Sequence, residues 1–171
     1  MNMETERLVL RELKEADTEY LHAILSDPES MQYYPAPFSL EQTRKWIQWN
    51  LENYQKYGFG LWAVILKESN LFIGDCGITM QNINGSIKPE IGYHIKKEYA
   101  CRGYATEAAG ACMEYAFADL GIERLYSYMK YTNVPSQRVA QKNGMKCILQ
   151  YEDVVNTFTR VYAISKEEYV G

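Results

Sequence analysis

The chain has 171 residues, 47% of them apolar and 23% charged, with no low-complexity tract; that size and composition suit one domain, residues 1–171, with a substantial core and exclude a disordered or fibrous chain. Lys and Arg number 18 against 22 Asp and Glu, and the resulting net charge of −4 is spread along the chain, which argues against a nucleic-acid binder, since those present a basic face or run. The longest apolar run, Leu61–Leu66, falls far short of the roughly 20 residues that cross a bilayer, and the opening MNMETERLVLREL lacks the apolar segment of a secretory leader, so a cytoplasmic location away from membranes is expected.

In chain order, Arg7–Leu13 alternates apolar and polar residues and reads as a half-buried strand. Ala16, Tyr20, Leu21, Ile24 and Leu25 have helical spacing, with Asp17 as N-cap and Pro28 as the stop. An aromatic and proline-rich loop, MQYYPAPFS, leads to a second helix opened by a Ser39–Gln42 capping box and closed by Gly58. Trp46 and Trp49 share a face of that helix and serve either a pocket or the core.

FGLWAVILK and LFIGDCGITMQ read as a hairpin, Asn84-Gly85 makes the next turn, and IKPEIGYHI is the third strand of the meander. Gly92 inside it marks a bulge or a close approach. The alanine-rich run from Ala105 to Leu120 is a helix capped by Gly121; RLYSYMKY is a strand. Asn133 caps a short helix with Pro135 in its first turn, and MKCILQYE and TFTRVYAIS are the last two strands. The order is β-α-α-β-β-β-α-β-α-β-β, a mixed α/β domain without internal repeats. Cys76, Cys101, Cys112 and Cys147 form no C-x-x-C pair and only His22 and His94 accompany them, so neither a metal site nor a disulfide framework is expected.

The stretch YACRGYATEA, Tyr99–Ala108, runs a glycine-bearing turn into that alanine-rich helix. A helix start carries unpaired N–H groups and the positive end of a dipole, which makes it an anion site; Gly103 permits close approach and Arg102 adds charge. The same turn also suits a plain connection. Neither a Walker loop nor the three spaced glycines of a dinucleotide fold is present.

EIGYHIKKEYACRGYATEA followed by NVPSQRVAQKNGM resembles the GNAT superfamily of N-acetyltransferases, and more narrowly the branch with the ribosomal-protein N-terminal acetyltransferases; the agreement in element order extends it over nearly the whole chain. The resemblance implies a mostly antiparallel mixed sheet flanked by helices, and acetyl-CoA as co-substrate. Cys101, Arg102, Gly103, Tyr104 and Ala105 would cradle its pyrophosphate, with Thr106 starting the helix. The strand bearing Ile91, Gly92, Tyr93 and His94 would splay from RLYSYMKY to admit the pantetheine arm, and Asn133 and Ser136 would approach the thioester. The chain departs from the family at Ala100, Cys101, Met145 and Ala140, the last standing where many members place an acidic tyrosine.

The reaction so implied is direct attack of an amine, a peptide N-terminus or a small molecule, on the thioester in a ternary complex. A backbone N–H near Gly92–His94 would stabilise the oxyanion. Glu90 is the candidate base, acting through water, or else a strand-edge carboxylate paired with Lys88. His94 has the titration range of a base, or is an ordinary packed or surface imidazole. Ser136 is a proton donor or a helix cap. Two other functions fit the same residues: a CoA-binding sensor or partner module without turnover, and a thiol enzyme using Cys101 at the helix mouth. Monomer and homodimer both remain open.

Overall fold

The computed structural model describes residues 2–169. The chain opens with β1 (Asn2–Glu4) and β2 (Leu8–Glu12), then α1 (Thr18–Leu25) after a 3-10 turn, α2 (Leu40–Tyr57), and the meander β3 (Leu61–Leu66), β4 (Phe72–Ile83), β5 (Ser86–Ile95). There follow α3 (Tyr104–Ala118), β6 (Arg124–Lys130), α4 (Val134–Lys142), β7 (Lys146–Asp153) and β8 (Thr157–Ser165). All eight strands form one sheet in the order β1-β2-β3-β4-β5-β6-β8-β7. Every pairing is antiparallel except β5 with β6.

The expected order holds with one addition. β1 has only three residues, too few to show alternation, and it exists by pairing Met3 with Leu10 at the edge of the sheet. The capping box of α2 forms as read, with Gln42 N–H donating to Ser39 Oγ (3.1 Å) and Ser39 N–H to Gln42 Oε1 (2.7 Å). Asp17 is not the side-chain cap of α1. Its buried carboxylate takes a two-pronged bond from the Arg11 guanidinium (both 2.8 Å) and the Lys14 N–H (2.8 Å), so it ties the turn to β2 instead.

The two faces of the sheet are covered differently. α3 lays Ala108, Ala109, Cys112 and Ala116 against Val64, Cys76, Ile78 and Ile91; the small side chains bring the helix axis close to the sheet. On the opposite face Leu21, Leu25 and Ile47 from α1 and α2 pack on Leu61, Ala63 and Ile65. Helices thus cover both sides of the central strands, as an eight-stranded sheet with fully apolar β3 requires. Between them, where β5 meets β6, the sheet opens.

Candidate active site

β5 and β6 are bridged at a single position, Glu90 with Tyr126. Beyond it the strands diverge in a V. The β4–β5 register runs unbroken from Ile83↔Ser86 to Gly74↔Ile95, so Gly92 marks no bulge. Lys96 N–H donates to Ile73 O (2.7 Å); by antiparallel alternation the N–H groups of Gly92 and His94 also face β4, while those of Ile91 and Tyr93 face the V. The Glu90–Tyr126 bridge uses the Ile91 N–H, so within the expected Gly92–His94 stretch the N–H left facing the opening is that of Tyr93. The Ile91 side chain itself is core.

A cavity of about 460 Å³ passes through this opening, with Tyr34, Phe38 and Trp46 on one face of the sheet and Tyr93, Asn133 and Ser136 on the other. Alternation along β4 and β5 puts Asp75, Thr79, Glu90 and His94 on the aromatic face. Glu90 is only 8% exposed. Burial pushes its carboxyl well above the ordinary range, against the opposing pull of the Tyr128 N–H and the Ser127 hydroxyl. Lys88 does not pair with it; that ammonium lies over the Tyr126 ring, 5.5 Å from its centre. A Cβ on Gly92 would stand 3.1 Å from Glu90 Oε1, so the glycine is the space into which that carboxyl leans.

His94 is neither a surface group nor apolar packing. Its Nδ1 is bonded to Asp75 Oδ1 (2.8 Å), and Trp46 Nε1–H donates to the other oxygen of the same fully buried carboxylate (3.2 Å). The Tyr34 ring lies 5.4 Å from the imidazole. Trp46 is a wall of the cavity, and neither Trp46 nor Trp49 is fully buried. Tyr128 completes this side, its phenol pushed to about 12 by burial and by the nearness of Glu90.

On the other face, Asn133 caps α4 through Ser136 N–H (3.2 Å), and the Tyr93 phenol meets both Ser136 O (2.9 Å) and Ser136 Oγ (2.8 Å). A phenol therefore does stand beside Ser136, supplied by β5; Ala140 on α4 is buried core. Gln137 anchors α4 from below, donating to Tyr131 O (2.9 Å) and accepting from Arg160 (2.8 Å) and Tyr162 (3.1 Å).

The loop before α3 takes two left-handed residues, Cys101 at φ 60° and Gly103 at φ 84°. The helix begins at Tyr104, with Gly103 as N-cap and Thr106 already inside the first turn. Ala100 N–H closes the preceding turn on Lys97 O (3.2 Å) and Glu107 N–H closes the first helical turn on Gly103 O (3.0 Å). The N–H groups between them are what the loop has to offer an anion. Arg102 places its guanidinium over the Tyr99 ring (5.6 Å). Cys101 is exposed and outside the cavity that His94 lines, so the two are not partners.

Arg7 braces this loop from the edge between β1 and β2. It donates to Arg102 O (3.0 Å), stacks 4.3 Å over Tyr104, and pairs with Glu107 (2.7 Å), which also accepts from Thr5 Oγ1 (2.5 Å). Burial pushes the Glu107 carboxyl up, but these donors outweigh it and hold the group below its ordinary value. Sequence reading missed Arg7 and Asp75. Asp75 did leave a signal, a lone charge within the apolar run LFIGDCGITM; Arg7 left none. Among the described residues no three or more His, Cys, Asp or Glu are placed to share a metal ion, and no helix is long and apolar enough to cross a membrane.

Comparison with known proteins agrees with this geometry. The family described as acetyltransferase (GNAT) domain matches residues 7–146. The uncharacterized protein YkkB of Bacillus subtilis is 37% identical over 82% of this chain and 83% of its own length. The uncharacterized N-acetyltransferase YnaD of the same organism is 31% identical over 99% of each. A GNAT-family acetyltransferase from Bacillus anthracis superposes with a TM-score of 0.83 at 30% identity, covering 98% of this chain and 99% of that one. RimL, a ribosomal L7/L12 alpha-N-protein acetyltransferase solved with coenzyme A, shares the fold with a TM-score of 0.81 at 20% identity, covering 96% of this chain and 98% of its own. With this family match, the split between β5 and β6 and the loop at the mouth of α3, the chain belongs to the GNAT acetyltransferases.

Proposed function

We propose that the whole chain is one acetyl-CoA-dependent N-acetyltransferase domain, moving an acetyl group to a primary amine, a peptide N-terminus or a small molecule, by direct attack in a ternary complex. The observation that carries this reading is the cavity passing through the V, with a polar, aromatic-walled face on one side and the α3 loop's side of the sheet on the other.

The residues fit the co-substrate. The left-handed turns at Cys101 and Gly103 bend the loop so that successive amides converge at the start of α3. Cys101, Arg102, Gly103, Tyr104, Ala105 and Thr106 would hold the pyrophosphate, and the Ile91 and Tyr93 carbonyls on the free edge of β5 would accept from the pantetheine amides, as an added strand does. Acetyl-CoA supplies the activated acyl group. Holding amine and thioester at the apex of the V replaces a bimolecular encounter with a positioned one. The Tyr93 N–H stabilises the developing oxyanion. Glu90, whose raised carboxyl lies on the acceptor side, accepts a proton from the amine nitrogen through water. Ser136, with Tyr93 behind it and Asn133 fixing its turn, hydrogen-bonds the departing thiolate.

Calorimetric titration with acetyl-CoA, followed by thiol release with a panel of alkylamines and peptides, tests this. Micromolar binding with amine-dependent thiol release is expected. Binding without release from any amine would favour a CoA-binding module without turnover; no binding at millimolar acetyl-CoA would overturn the reading.

A further inference from the structure

An ammonium becoming an amide loses two protons, one before its lone pair can attack and one after the C–N bond has formed. The acceptor side of the cavity holds two proton-accepting side chains on one strand face, Glu90 and His94, separated by Gly92. They are built differently. Glu90 is at the closed end of the V, on the bridging residue itself. His94 lies four residues further out, against Tyr34 and Trp46, with its side chain 12% exposed.

The Asp75 carboxylate, with no exposed surface, can only accept from its two N–H neighbours when ionised. Trp46 Nε1–H occupies one oxygen, and the 2.8 Å contact to the other places the imidazole proton on Nδ1. The lone pair is then on Nε2, across the ring from Asp75, and the ring lines the cavity. A buried carboxylate behind an imidazole both fixes the tautomer and stabilises the imidazolium that forms when Nε2 takes a proton.

We infer that the Asp75–His94 pair is the entry base of this site: His94 Nε2 removes the first proton from an acceptor that arrives as an ammonium, and Asp75, braced by Trp46, positions it. This rests on the acetyl-transfer reading above. The ammonium's proton passes to Nε2 and later to solvent. The amine lone pair attacks the thioester carbon, the C–N bond forms and the C–S bond breaks with its electron pair on sulfur. The second nitrogen proton leaves through Glu90 and its water to the thiolate. The products are amide, CoA thiol and one proton. Tyr34 and Trp46 offer ring faces to the arriving cation. Besides Asp75 from β4, which bonds His94, the titratable side chains lining the cavity with it are Glu90 and Tyr93 on its own strand, Tyr33 and Tyr34 from the loop, Tyr128 and Lys130 from β6, and Tyr151 and Asp153 from β7.

The test compares a strongly basic alkylamine with a fluorinated alkylamine that is already neutral at the assay pH. His94→Gln should lower kcat/KM on the basic amine by ~10²-fold and remove the acidic limb of its pH profile, while the loss on the neutral amine shrinks to a few-fold. Asp75→Asn should follow the same pattern, since an amide cannot accept from both neighbours and hold the Nδ1–H tautomer. Glu90→Gln should lower turnover of both amines alike. Acetyl-CoA affinity, measured by calorimetry, should be unchanged in His94→Gln, which shows that the variant folds. Independently of activity, ¹⁵N NMR of His94 in the ligand-free protein should report Nδ1 protonated and Nε2 bare. An equal loss on both amines, an unchanged acidic limb, or an Nε2–H tautomer overturns the inference while leaving acetyl transfer intact. A wild-type protein that binds acetyl-CoA but acetylates neither amine overturns both.

Discussion

A glutamate in a strand ordinarily turns its carboxylate to water; Glu90 instead points into a cavity and leans into the space left by Gly92. Its raised carboxyl has a consequence for stability. The native state holds this proton above the 4.5 of a free glutamate, so across that window it binds more protons than the unfolded chain, and stability falls as pH rises. Glu90→Gln is neutral throughout. Its urea midpoint should match the wild type at pH below that of a free carboxyl and move above it as pH rises, even as turnover drops by ~10²-fold or more. Gly92→Ala should displace the carboxyl and lower kcat while leaving acetyl-CoA affinity alone. Cys101 makes the opposite case. A non-glycine residue at φ 60° carries strain of roughly 1–2 kcal/mol, so Cys101→Gly should be somewhat more stable and keep its turnover, the reverse of what a nucleophilic thiol requires.

At the scale of elements, local sequence was enough for most of the fold. The Ser39 capping box, the Asn84-Gly85 turn with its left-handed pair, and the alanine face of α3 are each fixed by neighbours close in the chain. Legibility ended where long-range pairing decides. β1 exists only because β2 lends it an edge, and Asp17, though at the N-cap position of α1, turns its carboxylate away from the helix because Arg11, on another element, offers a better bond. The loop before α3 was visible as a motif, but its brace was not, since Arg7 and Glu107 are far apart in sequence. The pairing of Asp75 with His94 likewise needs the β4–β5 register. Because Arg7 is substantially exposed, its ion pair is screened; the effect of losing it falls on the loop's order. Arg7→Ala should raise the acetyl-CoA Kd by roughly 3- to 10-fold, about 0.6–1.4 kcal/mol, with kcat nearly unchanged, as calorimetry and steady-state kinetics would show. Gln137→Leu should cost about 1–3 kcal/mol in denaturant unfolding, because it strands the Arg160 and Tyr162 donors.

For the whole molecule, the sheet is continuous except where it is needed open, and the single β5–β6 bridge leaves the β5 edge without a ladder partner beyond Glu90. Filling that edge should stabilise the folded protein by ~2.7 kcal/mol at acetyl-CoA a hundredfold above its Kd. Hydrogen exchange should slow most at the Tyr93 amide. The opening is also a passage through the sheet, and that has a kinetic meaning. The aromatic wall faces one hemisphere of the molecule, and Tyr93, Asn133 and Ser136 face the other. In the proposed reaction, donor and acceptor would reach the reacting atoms through separate doorways, so neither would wait for the other to enter or block the other's exit. Initial-velocity lines should intersect whichever substrate is varied, and a dead-end analogue of either should leave the other's doorway free.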